Sequence, residues 1–155
     1  MTAPRGSRRP PLRASLHLAM AQGNLGTLLR TALALNWQAV FITNSSTDPY
    51  NDKALRAAKG ATFRLPLMQG SWEDLNVLIK KHQMHVFVAD KQGTQLSKIT
   101  PQTPILLVLG NEAHGASSFA KERYKRICIP MNPQMESLNV ASAGAILMYQ
   151  LRTGS

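Results

Sequence analysis

Apolar positions recur along the chain at two spacings, and the switches between them mark out the elements. Residues 15–21 have the length and apolar content of a short strand. From 25 to 35, apolar side chains at 25, 28, 29, 32, 33 and 35 suit a largely buried helix. Asn24 stands at its N-cap position, and Asn36 follows the last turn, where asparagine tolerates the left-handed conformation. Residues 39–43 read as a strand, 44–49 as a polar loop and 53–59 as a short helix. Another strand is expected at 62–67. Ser71 and Asp74 have the spacing of a capping box, opening a helix that runs to about His82. Buried strands follow at 84–89 and 105–109, then a helix at 118–124. A last strand at 126–129 ends at Pro130, and an apolar helix rich in Ala, Ser and Gly closes the chain at 140–151.

Strands alternating with helices predict an α/β fold, a mostly parallel sheet with helices on both faces. No internal repeat or linker divides the pattern, so residues 15–155 read as one domain. At 155 residues the chain can bury a full core without disulfide or metal support. Cys128 is the sole cysteine, which rules out an intrachain disulfide. No apolar run approaches the roughly 20 residues of a membrane span, so no membrane partner is expected.

Charge adds the first functional hint. Lys and Arg number 18 against 8 Asp and Glu, a formal net charge of +10. Basic surfaces attract phosphate backbones, although a soluble protein can also simply be basic. Arg5, Arg8, Arg9 and Arg13 all precede the first acidic residue and sit among Pro4, Pro10 and Pro11. Residues 1–14 therefore read as a disordered basic arm, suited to tracking RNA. An acid-poor arm of this kind also fits organellar targeting.

Three segments carry polar groups where chemistry is possible. The first is Asn24-Leu25-Gly26-Thr27-Leu28-Leu29-Arg30-Thr31-Ala32. Gly26 allows close approach to a helix N-terminal turn, where free amides favour negative charge. Arg30 lies in an apolar helical stretch and, if buried, needs a partner. A capped helix with one salt-bridged arginine would look the same. The second segment runs from the apolar strand at 105–109 into Gly110-Asn111-Glu112-Ala113-His114-Gly115. That puts polar groups and two glycines at a strand's C-terminal end, where open α/β sheets bind ligands. Glu112 could equally be a loop carboxylate paired with an arginine. The third, Ile129-Pro130-Met131 through Glu136-Ser137-Leu138-Asn139-Val140, is a polar loop between a strand and a helix that Ser137 can cap. The small residues from Ala141 to Ala145 let another helix or backbone pack closely.

Several chemistries are absent. There is no G-x-G-x-x-G, no H-E-x-x-H and no G-x-S-x-G. One cysteine cannot build a zinc ribbon, and no metal is expected. Ala116 stands where a P-loop lysine would be.

In order and together, the three segments resemble the three motifs of the SpoU (TrmH-like) RNA 2′-O-ribose methyltransferases of the SPOUT superfamily. The likeness covers about residues 15–152. It implies a sheet whose C-terminal segment is threaded into a trefoil knot, which forms the site for S-adenosyl-L-methionine. By the same resemblance, Gly110, Ile129 and Leu138 would contact that cofactor, with Met131 nearby. Arg30 would be the principal catalytic residue, with Asn24, Glu112, Ser137 and Asn139 helping to build the site. A homodimer completing the site across its interface, a tRNA or rRNA substrate, and a cytoplasmic or organellar setting are further implications. The chain departs from the pattern at Ala21-Gln22-Gly23, where Asp-Pro is common, and at Asn36-Trp37, where Phe-Gly is frequent. Many relatives also carry an additional RNA-binding domain or helical extensions, whereas this sequence offers the basic arm. Two other readings stand beside it: a non-catalytic RNA-binding or ribosome-associated protein that keeps the fold, and a SPOUT enzyme methylating a base. Having Asn24, Arg30, Glu112, Ser137 and Asn139 together argues against the first, and Ser137-Leu138-Asn139 against the second.

Overall fold

A computed structural model describes residues 16–20, 25–43, 48–110 and 118–153. The strands are Leu16–Met20 (β1), Ala39–Thr43 (β2), Leu67–Gly70 (β3), His85–Gln95 (β4), Ile105–Leu109 (β5) and Lys125–Cys128 (β6). The helices are Leu25–Ala34 (α1), Asp52–Ala58 (α2), Trp72–His82 (α3), Ser118–Arg123 (α4) and Val140–Thr153 (α5). The strands form one sheet in the order β3-β2-β1-β5-β4-β6, and every neighbouring pair is parallel. The basic arm at 1–14 and Asn24 lie outside the described residues, as do most of the 44–49 loop and Asn111, Glu112 and His114.

Parallel strands need crossovers, and crossover helices cover both faces of the sheet. β5 has the clearest signature of this. All five of its side chains are buried, so it reads as an unbroken apolar run. Ile105, Leu107 and Leu109 face one core, formed with Leu28 and Leu29 of α1, Ala58 of α2 and Leu147, Met148 and Leu151 of α5. Leu106 and Val108 face the other, with Leu75 and Ile79 of α3 and Ala120 of α4. The result is a three-layer α/β/α domain.

Local signals behave as expected at several helix ends. Asn36 takes φ 62, ending the first helix in the left-handed region. Ser71 Oγ accepts the Asp74 N–H at 3.2 Å, and Asp74 Oδ2 accepts the Ser71 N–H at 2.9 Å, completing the capping box. The Ser71 backbone N–H foremost, and then the Ser71 side chain, hold the Asp74 carboxyl below its ordinary pKa.

The expected strand at 62–67 is corrected. Lys59 and Gly60 take left-handed conformations, and Ala61–Phe63 then tighten into a 3-10 turn. Ala61 and Leu65 are apolar because they pack into the α1 core, not because they alternate on a strand. Strand pairing begins only at Leu67, opposite Val40. β4 also outruns its expected end at Ala89. Its ladder with β6 breaks between Ala89 and Thr94 and resumes with Thr94 opposite Ile127 and Gln95 opposite Cys128.

Glycine makes two close contacts possible. At position 144 a Cβ would stand 2.7 Å from Leu28 Cδ2 and Leu109 Cδ1, so α5 lies directly on α1 and β5. The small-residue stretch of α5 is thus used inside the fold here, while Ile146 and Tyr149 remain exposed. The buried Trp37 indole donates to the Met148 carbonyl at 3.3 Å, tying the end of α1 to the same helix. At position 26, a Cβ would run into the Ala54 carbonyl oxygen of α2. What approaches Gly26 closely is therefore α2 backbone. Gly26→Ala should lower stability by about 1–3 kcal/mol, as overpacking against rigid backbone outweighs the ~1 kcal/mol gain in helix propensity. Urea denaturation checks this; a variant at least as stable as the parent would show that the α1–α2 contact yields freely.

Candidate active site

The C-terminal ends of β5, β4 and β6 open into a cleft of about 270 Å³, close to the lower end of the ~300–1,000 Å³ common for small-molecule sites. Leu109 and Gly110 enter it from β5, Ala89, Asp90 and Lys91 from β4, and Ile127 and Cys128 from β6. The chain after β6 contributes Ile129, Met131, Glu136, Ser137 and Leu138. Val140, Ala143 and Leu147 of α5 close the remaining side. The site thus sits where open parallel sheets collect polar loops, to one side of the reversal between β1 and β5.

Four residues expected at a cofactor, Gly110, Ile129, Met131 and Leu138, line this one cleft, and Ser137 joins them. They come from two segments distant in sequence, brought together because β4 alone separates β5 from β6. Asn139 stands at the start of α5, directly after Leu138. Its Oδ1 accepts the Ala141 N–H at 2.8 Å, making Asn139 the N-cap of α5. Ser137 therefore does not cap that helix; it is exposed at the cleft.

Arg30 stands apart from this cleft. It is exposed on α1, on a stripe with Thr27 and Ala34, while Leu28, Leu29 and Ala32 take the buried face. No buried partner is needed, because the guanidinium is in solvent. It is not among the residues lining the cleft. Asn24 and Glu112 fall outside the described residues.

Sequence reasoning passed over the ionic cluster at the cleft wall. Asp90 Oδ2 lies 3.4 Å from Lys121 Nζ and 3.7 Å from Arg126 Nη1, with only 8% of the Asp90 side chain exposed. Its Oδ1 accepts the Gln92 N–H at 3.0 Å, in the turn where the β4–β6 ladder breaks. Burial pushes the Asp90 carboxyl upward, but that bond and the Lys121 and Arg126 charges outweigh it and hold the group below its ordinary 3.8. An acid just past an apolar strand is the same signal that drew attention to Glu112, and it could have singled out Asp90. Nothing in the local spacing links it to residues 121 and 126.

The cleft offers aliphatic walls and exposed backbone for a flat apolar group. Its rim supplies carboxylates from Asp90 and Glu136, ammonium groups from Lys91 and Lys121, and the Ser137 hydroxyl. Such a mixture suits a small ligand with an apolar ring and a zwitterionic end. Among the described residues, no three His, Cys, Asp or Glu side chains are grouped to hold a metal ion, and no helix is long and apolar enough to cross a membrane.

The sheet is all-parallel, with its cleft at the strand ends, and comparison with known proteins gives the family. Residues 12–149 match the SpoU rRNA Methylase family, and the chain belongs to it. It is 35% identical over 154 residues to an uncharacterized tRNA/rRNA methyltransferase of Synechocystis, covering 94% of this chain and 56% of the relative. It is 35% identical over 132 residues to the 23S rRNA (guanosine(2553)-2′-O)-methyltransferase RlmP of Bacillus subtilis, covering 84% and 53%. Among solved structures, the AdoMet-bound rRNA methyltransferase of Sinorhizobium meliloti superposes with a TM-score of 0.80 at 26% identity, over 94% of this chain and 61% of that one. The chain spans about half the length of the curated relatives it matches.

The Asp90 cluster has a measurable signature. A carboxyl whose folded pKa is lowered stabilises the fold above its unfolded value and loses that contribution as pH falls through the folded one. Asp90→Asn should therefore cost roughly 1 kcal/mol at neutral pH, since both cations are partly exposed and screened. The gap from the parent should close as pH drops below the ordinary 3.8. Urea midpoints at pH 7 and pH 3 test this, and a gap of equal size at both would remove charge as the cause.

Proposed function

We propose that this chain transfers a methyl group from S-adenosylmethionine to a ribose 2′-hydroxyl of rRNA or tRNA. The observation that carries the proposal is the convergence of Gly110, Ile129, Met131, Ser137 and Leu138 on one cleft at the strand ends. Family membership and the 2′-O-methyltransferase among the relatives favour ribose as the acceptor.

The residues fit the cofactor. Leu109, Ile129, Leu138 and Leu147 offer an apolar bed for an adenine ring, and the Gly110 backbone allows close approach. Glu136 and Lys91 at the rim suit the ammonium and carboxylate of the methionine end. Bound there, S-adenosylmethionine supplies an electrophilic methyl group. The protein's own task is then to orient a ribose hydroxyl in line and to stabilise charge as its proton leaves.

Arg30 suits that task as a cation. A guanidinium stays protonated, so it serves by binding the adjacent phosphate and stabilising the developing alkoxide, not as a free base. Ser137 at the cleft is well situated to contact the acceptor, and Asn139 acts by fixing the start of α5. Asn24 and Glu112 complete the site in this reading. Arg30 is exposed and apart from the cleft lining, which favours a homodimer in which α1 of one protomer reaches its partner's cleft. The exposed Ile146 and Tyr149 of α5 give that dimer an apolar contact. We take the segment from β6 into α5 to be threaded as a trefoil knot. In support, the chain leaves the sheet edge at β6 and then returns with α5 lying on β5 and α1. Residues 1–14 serve as a basic arm that follows RNA, and 15–155 as the methyltransferase domain. No metal takes part.

Calorimetric titration should give about one S-adenosylmethionine bound per protomer. Arg30→Ala should cut turnover by about 10²–10³-fold with donor affinity nearly unchanged. A collapse of donor affinity would assign Arg30 to the donor site or the fold. Methyl groups recovered in nuclease-resistant dinucleotides would mark ribose; their recovery on a base nitrogen would overturn the proposed acceptor.

A further inference from the structure

We propose that the exposed Tyr50–Phe63 ring pair and the cations around α2 form a stacking platform for unpaired bases flanking the methylated nucleotide. The proposal rests on the RNA-methylation reading above and extends it to how the RNA is held.

Phe63 is 75% exposed, the most of any large apolar side chain among the described residues. Single exposed apolar residues are ordinary. This one is held outward by its surroundings. Ala61, Thr62 and Leu65 on either side are buried, and the Phe63 N–H bonds to the Gly60 carbonyl at 3.2 Å. Its ring meets that of Tyr50, which is 53% exposed, at a centroid distance of 6.4 Å and an angle of 37°. Tyr50 is anchored in turn, with Pro49 buried and its own N–H bonded to Asp48 Oδ1 at 2.9 Å. Two fixed backbone turns, one before α2 and one after it, thus present a joined aromatic surface to solvent.

Lys53, Arg56 and Lys59 follow one another at intervals of three residues along and just past α2, and Arg64 adjoins Phe63. All are exposed, and in the same stretch they outnumber the carboxylates of Asp48 and Asp52 by four to two. Aromatic faces interleaved with cations are the means by which proteins hold single strands, since every base has a π-face and every linkage a negative charge. A duplex keeps its bases stacked on each other and offers the rings nothing. The excess of cations over carboxylates favours a polyanion such as RNA over a protein partner or a second copy here. The platform is also well situated. α2 packs on α1 at Gly26, one helical turn from Arg30, so it adjoins the exposed stripe that carries the proposed catalytic cation.

The test uses the full chain with two labelled probes, a single-stranded oligouridylate of about twelve nucleotides, within the span such grooves cover, and an RNA duplex of equal length. Phe63→Ala should bind the single strand about tenfold more weakly and the duplex as the parent does. The double variant Lys53→Ala, Arg56→Ala should flatten the salt dependence of single-strand binding by about 0.7 for each phosphate no longer neutralised. Titration with S-adenosylmethionine should be unchanged for both, showing that the fold and cleft are intact. A Phe63→Ala variant that holds the single strand as tightly as the parent would overturn the platform alone. So would one whose light-scattering mass differs from the parent's, since the rings would then serve a protein contact. A parent that binds S-adenosylmethionine but neither RNA probe would overturn both the platform and the RNA-methylation reading.

Discussion

Where α5 lies on β5 and α1 governs how the rest of the domain is arranged. Gly144 lets the helix settle between Leu28 and Leu109, and the Trp37–Met148 hydrogen bond holds its second half. Because the contact is side chain on bare backbone, the helix has little freedom to slide. The same helix turns Val140, Ala143 and Leu147 toward the cleft. The packing that buries the core therefore also sets the width of the candidate site. Asn139 fixes where the helix starts, and with it where Leu138 and Ser137 stand.

The opposite wall is held by charge. Asp90 joins the middle of β4 to α4 through Lys121 and to β6 through Arg126. It does so at the place where regular pairing between β4 and β6 fails, so charge links the two strands and α4 there. With two cations and a backbone N–H around it, the carboxylate is paired on every side the structure describes. One wall is thus apolar and closely packed, the other polar and ionic. A ligand with an apolar ring and a charged end can lie along one and reach the other.

Local chemistry made most of the fold legible. The α1 periodicity, the left-handed Asn36 and the Ser71–Asp74 box each need only a few neighbouring residues, and each is found as read. The strand expected at 62–67 failed because a 3-10 turn packed on α1 presents apolar residues at strand-like intervals. The end of β4 was missed because residues 90–95 are polar and irregularly paired. At the site, Gly110, Ile129 and Leu138 were picked out by family likeness, and their meeting depends on sheet order, which no local spacing contains. The same holds for Asp90, Lys121 and Arg126, drawn from three elements. Between Ser137 and Asn139 both residue types can cap a helix, and the choice is made by where the backbone turns after Leu138.

In the proposed reaction the donor and acceptor halves of the site would face different physical demands, and the residues divide accordingly. A donor pocket must exclude water and keep one geometry, which favours buried aliphatic walls and backbone on packed elements. β5 and α5 provide both. An acceptor surface must take up and release a long polyanion, which favours exposed, solvated cations whose attraction salt can weaken. Arg30, Lys53, Arg56 and Arg64 are all of that kind. The Gly26–Ala54 contact connects the halves, because it fixes the cationic α2 against α1, and α1 is packed against α5. In the proposed reading, the donor side and the cationic acceptor side are thus joined through packed helices.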